Sequence, residues 1–380
     1  MDLILYVEKK ATSTTNMKNV ENRMRTTHEL YFENAIKLDS VPDSTIDLVI
    51  TSPPYPMIEM WDSILGEQSL QITKSLESND GYTAFELMHI ELDKVWDEVI
   101  RVTKEGAFIC INIGDATRTI NGNFALYPNH ARIISYFRSK GINNLPNIIW
   151  KKQTNSPNKF MGSGMLPSGA YVTLEHEYIL IFRKGGKQLF ITEEEKKYRR
   201  ESSFFWEERN VWFSDVWDFK GARQILNNKN IRERSAAFPF ELPYRLINMY
   251  SIKGNTILDP FVGTGTTLFA ALTAGRNSLG YDIDKNFREC IFEILNSSEF
   301  IEDLNLIIES RLLAHKRFIE EKNDVKHFNL GYNFPVVTNQ EKEILINFIQ
   351  SISMTNNNIE VDYYNEPLME SPTTKQKRLF

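Results

Sequence analysis

The chain has 380 residues, 42% apolar and 12% aromatic, with a net charge of −6; this is enough apolar material for one large α/β domain with a smaller unit attached and too much for a disordered chain. The only N-terminal apolar stretch, LILYV, follows Asp2 and is too short for a signal peptide or a membrane span, so a cytoplasmic protein without a membrane partner is expected. Cys110 and Cys290 stand outside any CxxC spacing and the six histidines are scattered, which argues against a disulfide framework and leaves no metal expected.

Residues 1–27 are polar and aperiodic and read as a loose arm. HELYF, from His28, is the first strand signal, and the unbroken apolar run Ile46 to Ile50 has the character of a fully buried parallel strand. TSPPYP follows it directly. Residues 62–81 read as an exposed loop or short helix. Phe85, Leu87, Met88, Leu92, Val95, Trp96, Val99 and Ile100 recur at helical spacing, predicting a helix over 83–103 that Gly106 closes. AFICINIGD is a buried strand, 130–140 a helix closed by Gly141, and NIIW and HEYILIFRKG are further strands. From Gly185 to Arg234 no period is sustained, which marks a small inserted unit. Beyond it come a helix over 240–250, the strand NTILDPF, a glycine turn, the helix LFAALTAG and the strand SLGYDID. Residues 289–321 and 341–352 read as helices, and the polar stretch past Thr355 as disordered. Strands alternating with helices predict a mostly parallel sheet with helices on both faces. The expected divisions are 28–183, 184–230, 231–300 and an acidic helical extension over 301–380.

Asp259-Pro260-Phe261-Val262-Gly263-Thr264-Gly265-Thr266-Thr267 lies at a strand-to-helix junction, where glycine lets the backbone approach a ligand. A second strand follows and ends in Asp282, 17 residues beyond Gly265, where an acid accepts hydrogen bonds from ribose hydroxyls. Two features disfavour a dinucleotide. Leu268 replaces the third glycine of GxGxxG, and Asp259 would repel a pyrophosphate. A carboxylate there suits a positive group, and S-adenosylmethionine carries an ammonium and a sulfonium.

DPFVGTGTT and TSPPYP together, in this order, resemble the DNA amino-methyltransferases of the permuted β-group. The resemblance runs from about Leu30 to Asp284 and takes in ELYFENAIKLDSVPDSTIDLVITSPPY, AFICINIGD, IIWKK, YVTLEHEYILIFRKG and RSAAFPFELPYRLI. It implies a Rossmann-like S-adenosylmethionine-dependent methyltransferase fold with circularly permuted motif order and a small target-recognition region. It also implies a cofactor site built from Asp259, Pro260, Phe261, Gly263, Gly265, Thr266, Thr267 and Asp282, with Asn34, Phe238 and Pro239 beside it. The chain departs from the family pattern at Glu33-Asn34, where Gly-Asp is usual, and at Arg234-Ser235, where His-Pro is usual. Neither cysteine follows a proline, so the Pro-Cys nucleophile of cytosine C5 methyltransferases is absent.

The resemblance gives SPPY a chemical meaning. An exocyclic base amine is a poor nucleophile because its lone pair is delocalised into the ring. Acceptors for both amine protons, here the Ser52 hydroxyl and the Pro53 carbonyl, would draw the nitrogen toward a tetrahedral shape. Pro53 and Pro54 hold the backbone in one conformation, and Tyr55 is expected to stack on the extruded base. In this family Ser in the first position is usual for N4 of cytosine and Asp or Asn for N6 of adenine. The implied reaction is therefore N4-cytosine methylation of double-stranded DNA, with a cognate restriction endonuclease acting on the same site. N6-adenine methylation, an RNA amino-methyltransferase and a non-enzymatic DNA-binding protein are the alternatives. Arg183 to Arg234 holds 13 basic against 9 acidic residues, and Lys196, Lys197, Arg199, Arg200 and Arg223 are the expected DNA contacts. His176 reads as a core or rim histidine, Trp61 and Asp62 as pocket or packing residues, and Asp115 as a candidate for the same edge.

Overall fold

The computed structural model describes residues 24–152, 161–219, 238–322, 325–370 and 372. The run after Thr45 forms β2 (Ile46–Thr51), buried at all six positions, in the middle of a large sheet. Even its one acid is satisfied: Asp47 accepts from Lys104 Nζ at 2.6 Å and from the Thr256 amide at 2.9 Å. Around it stand β1 (Arg25–Tyr31), β3 (Thr103–Ile113), β4 (Ile148–Lys152), β5 (His176–Arg183), β6 (Val216–Phe219), β7 (Thr256–Asp259) and β8 (Asn277–Tyr281), with β9 (Ile349–Thr355) and β10 (Asn358–Tyr363) at one end. The strand order is β6-β4-β5-β3-β2-β7-β8-β1-β10-β9, with the two-residue strand Asn143–Asn144 paired to β5 off this path.

The five central strands β3, β2, β7, β8 and β1 run parallel. β5 runs antiparallel to both β3 and β4. The carboxyl edge of the sheet therefore collects the ends of the central strands, the end of β4 and the beginning of β5. In open α/β sheets the ligand crevice lies at that edge.

The helices are α1 (Asp62–Gln68), α2 (Leu70–Glu77), α3 (Gly81–Val102), α4 (Asn129–Ser139), α5 (Glu193–Glu201), α6 (Trp206–Trp212), α7 (Glu241–Tyr250), α8 (Thr266–Thr273), α9 (Asn286–Leu295) and α10 (Phe300–Glu320). The apolar stripe of α3, with Leu92, Val95, Trp96 and Val99, packs with Phe137 of α4 and with Ile109 and Ile111 on one face of the sheet. α7 and α8 cover the other face around Leu48, Ile50, Ile257 and Ala270. Among the described residues no helix is long and apolar enough to cross a membrane. Cys110 and Cys290 are buried free thiols, as their isolated spacing suggests.

Three expectations at the chain ends are corrected. Residues 25–27 of the expected arm belong to β1, while 1–23 lie outside the described residues. The expected helix over 341–352 is a 3-10 turn at Asn339–Glu341 followed by β9. Past Thr355, Asn358–Tyr363 form β10, paired antiparallel to both β9 and β1, while 371 and 373–380 lie outside the described residues. Asn356, at φ 54°, makes the turn between the two strands, and burial alternates along β10 with Ile359, Val361 and Tyr363 inward. Period-two burial on a polar background is what a sheet edge needs, and it hides the strand from a reading by composition.

Candidate active site

Where β2 ends, Ser52, Pro53, Pro54 and Tyr55 leave the sheet at its carboxyl edge. They adjoin a cavity of about 640 Å³. Ser52, Pro53 and Pro54 line it together with Asn34, Phe238, Asp259, Pro260, Phe261, Gly263, Thr266, Thr267 and Asp282. The structure thus brings into one cavity residues from three places far apart in sequence. Gly265 and Pro239 support it without lining it. Gly265 sits at φ 85° before the first turn of α8, and a Cβ there would lie 3.1 Å from Ile291. The buried Pro239 carbonyl accepts from the Leu242 amide at the start of α7.

Asp259, 3% exposed, accepts from the Thr51 and Thr267 hydroxyls at 2.6 Å each and from the Phe261 amide at 3.0 Å. Burial pushes its pKa up to about 6, against the opposing pull of those hydrogen bonds. Asp282 accepts from the Gly263 and Asp284 amides at 2.9 Å each, and burial raises its pKa as well. Each carboxylate retains acceptor capacity after these bonds. Two acids at the ends of adjacent strands, with Phe261, Ile283 and Phe287 as apolar walls between and beside them, fit a ligand with an ammonium, a ribose diol and a planar base. S-adenosylmethionine has all three and supplies an electrophilic methyl group when bound.

Asn34, expected beside the cofactor, lines the cavity. Its amide donates to Gln68 of α1 at 2.9 Å and its carbonyl accepts from the Ile36 amide at 3.1 Å, which leaves one donor and one acceptor site on the side chain. Through that bond α1 is tied to the entry segment. Ile64, Leu65, Glu67 and Gln68 of α1, with Met60 and the candidate Trp61 before it, form a wall of the cavity, a role that the polar composition of α1 does not announce.

Tyr55, expected to stack on the base, lies behind the cavity wall in the ligand-free protein. Its ring is 5% exposed, lies against Gly114 and does not line the cavity. Its hydroxyl lies 3.0 Å from Ser52 Oγ, donates to Glu177 Oε2 at 3.0 Å and accepts from Asn112 Nδ2 at 2.8 Å. Glu177, 7% exposed at the start of β5, also takes Asn112 Nδ2 at 2.6 Å and is paired with Lys152 at the end of β4. Sequence reasoning missed all three partners. The available signal was polar residues inside apolar strands, Asn112 in FICINI and Glu177 in HEYILIF. Asn129, fully buried, likewise went unnoticed, although its amide donates to the Pro56 and Gly114 carbonyls at 3.1 and 3.0 Å and so fixes the loop after Tyr55.

The model of the DNA methylase family that covers the N6 and N4 enzymes matches residues 46–293, which takes in both SPPY and the glycine turn. The chain belongs to the N6/N4 DNA methylases. It is 53% identical over 345 residues to the Type II methyltransferase M.MthZI of Methanothermobacter thermautotrophicus, covering 90% of this chain and 96% of that one. It is 48% identical over 279 residues to the Type II methyltransferase M.MjaI of Methanocaldococcus jannaschii, covering 70% and 91%. Among solved structures it is similar to a putative DNA modification methylase of Thermus thermophilus complexed with S-adenosyl-L-methionine, at TM-score 0.54 and 33% identity over 70% of this chain and 93% of that one. This DNA methylase therefore uses S-adenosylmethionine, and its fold is the Rossmann-like α/β fold that the sequence leads one to expect.

The described residues expected to contact DNA, Lys196, Lys197, Arg199 and Arg200, lie on α5, away from the cavity. Because β5 runs antiparallel, the chain leaves it at the amino edge of the sheet, opposite the cavity. α5 sits there, its Glu201 bonded to Lys253, which precedes β7. Lys196 pairs with Glu193 at 2.8 Å, Lys197 with Glu201 at 3.7 Å and Arg200 with Glu343 at 2.9 Å, while Arg199 covers the Phe190 ring at 4.6 Å. Arg223 lies outside the described residues. The described part of the inserted unit instead braces the C-terminal region: Arg311 of α10 forks onto Glu208 of α6 at 2.5 and 2.9 Å, and Phe205 stacks on His315.

The remaining candidates have partners within the protein. Asp115 accepts from the His130 amide at 3.1 Å and bonds its ring at 2.8 Å, at the start of α4. Asp62 holds Arg118 in a two-pronged pair at 2.9 and 2.7 Å. The His176 ring meets Tyr178 edge-on.

Proposed function

We propose that the enzyme transfers a methyl group to the exocyclic N4 of cytosine at a specific sequence in duplex DNA, with the target base turned out of the helix. The observation that carries this reading is Ser52 in the first position of SPPY, with its hydroxyl and the rigid Pro53 beside the acids that suit the cofactor. In the resembling enzymes Ser at this position accompanies cytosine N4. The Ser52 oxygen and the Pro53 carbonyl accept the two amine protons, which localises the nitrogen lone pair. Attack on the methyl carbon then requires alignment above all. The charged methylated amine is strongly acidic and gives its proton to solvent without a dedicated base.

The names of the relatives as Type II methyltransferases support membership of a restriction-modification pair, in which a nuclease of the same recognition sequence would be the partner. The decisive experiment incubates purified enzyme with unmethylated bacteriophage DNA and methyl-labelled S-adenosylmethionine and analyses the nucleosides by mass spectrometry. N4-methylcytosine is the expected product. N6-methyladenine would retain the enzyme class and overturn the base assignment, and label in RNA alone would overturn the duplex substrate.

A further inference from the structure

Three hydrogen-bonding groups meet at the Tyr55 hydroxyl, which has a single proton to give. Asn112 Nδ2, 2.8 Å from the phenolic oxygen, can only donate to it. Glu177 Oε2, 3.0 Å away, accepts from the phenol, and Lys152 donates to the other carboxylate oxygen. The single phenolic proton therefore goes to Glu177. The remaining contact, Ser52 Oγ at 3.0 Å, must be made with the serine proton, because Tyr55 has none left to give.

We propose that Glu177, acting through Tyr55, fixes the Ser52 hydroxyl with its proton turned inward, so that only lone pairs face the target amine. Glu177 is thus a positioning residue: it touches no substrate and acts through two intervening hydroxyls. The inference rests on the reading of Ser52 as an acceptor for the exocyclic amine, and it holds for cytosine or adenine alike.

The surroundings support this proton order. Asn112 Nδ2 also donates to Glu177 at 2.6 Å, and the opposite amide orientation would set its carbonyl against the carboxylate. Its own Oδ1 is buried without a hydrogen-bond partner, so the side chain gives up one bond to point its nitrogen at this pair. Burial and the Glu177 charge both hold the Tyr55 phenol protonated, well above its ordinary pKa. The groups come from β3, β4 and β5, three neighbouring strands of the sheet, so the chain of bonds is built on rigid elements. A free serine hydroxyl would rotate and offer its proton to the amine as readily as its lone pairs. Here that choice is removed before the substrate arrives.

The test is a set of double-mutant cycles on the full-length enzyme, read by single-turnover methyl transfer to DNA with S-adenosylhomocysteine affinity measured in parallel. Glu177→Gln lets the new amide donate to the Tyr55 oxygen, which frees the phenolic proton to turn toward Ser52. The expected result is a rate loss of about 10- to 100-fold with cofactor-product affinity unchanged. In a Tyr55→Phe background the same substitution should add little. A second cycle does not depend on how Glu177→Gln folds: Tyr55→Phe should slow the wild type yet have little effect in a Ser52→Ala background. Losses that multiply in both cycles, or a Glu177→Gln enzyme as fast as wild type, would overturn the proposal. A wild-type enzyme that methylates neither cytosine nor adenine in DNA would instead overturn the functional reading on which it rests.

Discussion

Asp259 gives the sharpest handle on the cofactor site, because its ionisation should govern how tightly an ammonium is held. Its carboxyl titrates near 6, raised mainly by burial from an ordinary value of 3.8. If a ligand's ammonium binds the ionised form alone, the apparent dissociation constant scales with the fraction ionised. That fraction is about one tenth at pH 5 and about nine tenths at pH 7. Affinity for S-adenosylhomocysteine should therefore be about tenfold weaker at pH 5 than at pH 7 and level above pH 7. Titration calorimetry across pH 5 to 8 would measure it, and binding near pH 6 should release a proton to the buffer. Asp259→Asn should flatten the curve and leave affinity weak throughout. A flat wild-type profile would refute the assignment, and a dependence surviving in Asp259→Asn would transfer it to Asp282, whose pKa is also raised by burial. The same shift has an opposite signature in the ligand-free protein. An acid whose folded pKa lies above its unfolded one stabilises the fold fully below about pH 4 and loses that contribution, about 3 kcal/mol for a two-unit shift, as pH rises through 6.

Other outcomes follow from the same structure. Ser52→Ala should lower the methyl-transfer rate by about 10- to 100-fold without changing cofactor-product affinity, as nucleoside analysis under single-turnover conditions would record. Replacing Lys196, Lys197, Arg199 and Arg200 together by Ala should leave duplex affinity and its salt slope unchanged, because α5 lies on the far edge of the sheet; a slope reduced by several units would reverse that conclusion. Met165 and Leu166, 89% and 70% exposed, lie in the segment that leads into β5 at the cavity edge, so changing both to Ser should weaken duplex binding in a gel-shift assay and spare cofactor binding. Arg311→Met should cost about 3–5 kcal/mol in chemical denaturation by removing the cation from the half-buried Glu208, whereas the same substitution combined with Glu208→Met should recover much of the loss.

What could be read from the sequence was what sequence neighbours determine. The all-apolar run before SPPY, the glycine turn and the acid at the end of the next strand each carry their meaning within about 25 residues, and the sheet order then brings them together. The direction of β5 was not readable, since HEYILIFR packs equally well in either sense. That one reversal moved the basic helix from the cavity side to the opposite edge and brought Glu177 to the catalytic side. Glu177, Asn112 and Lys152 were hidden for a related reason: they lie 122, 57 and 97 positions from Tyr55 and meet only once β3, β4 and β5 are aligned. The terminal hairpin was obscured by its Asn-rich turn, which resembles a disordered tract by composition although it is a sound turn by backbone conformation.

The same hairpin returns the chain to the first described residue, Met24. Tyr363 donates its amide to the Met24 carbonyl at 3.2 Å, and the Met24 amide donates to Asn365 Oδ1 at 3.1 Å. A short linker could join these two positions without disturbing a strand. If the chain were then opened between 219 and 238, it would begin with the glycine turn and end with the half that holds SPPY, while every described contact of the cavity stayed intact. Which motif comes first is thus a matter of where a nearly closed circuit is cut, and the two orders are interconvertible by one splice and one break.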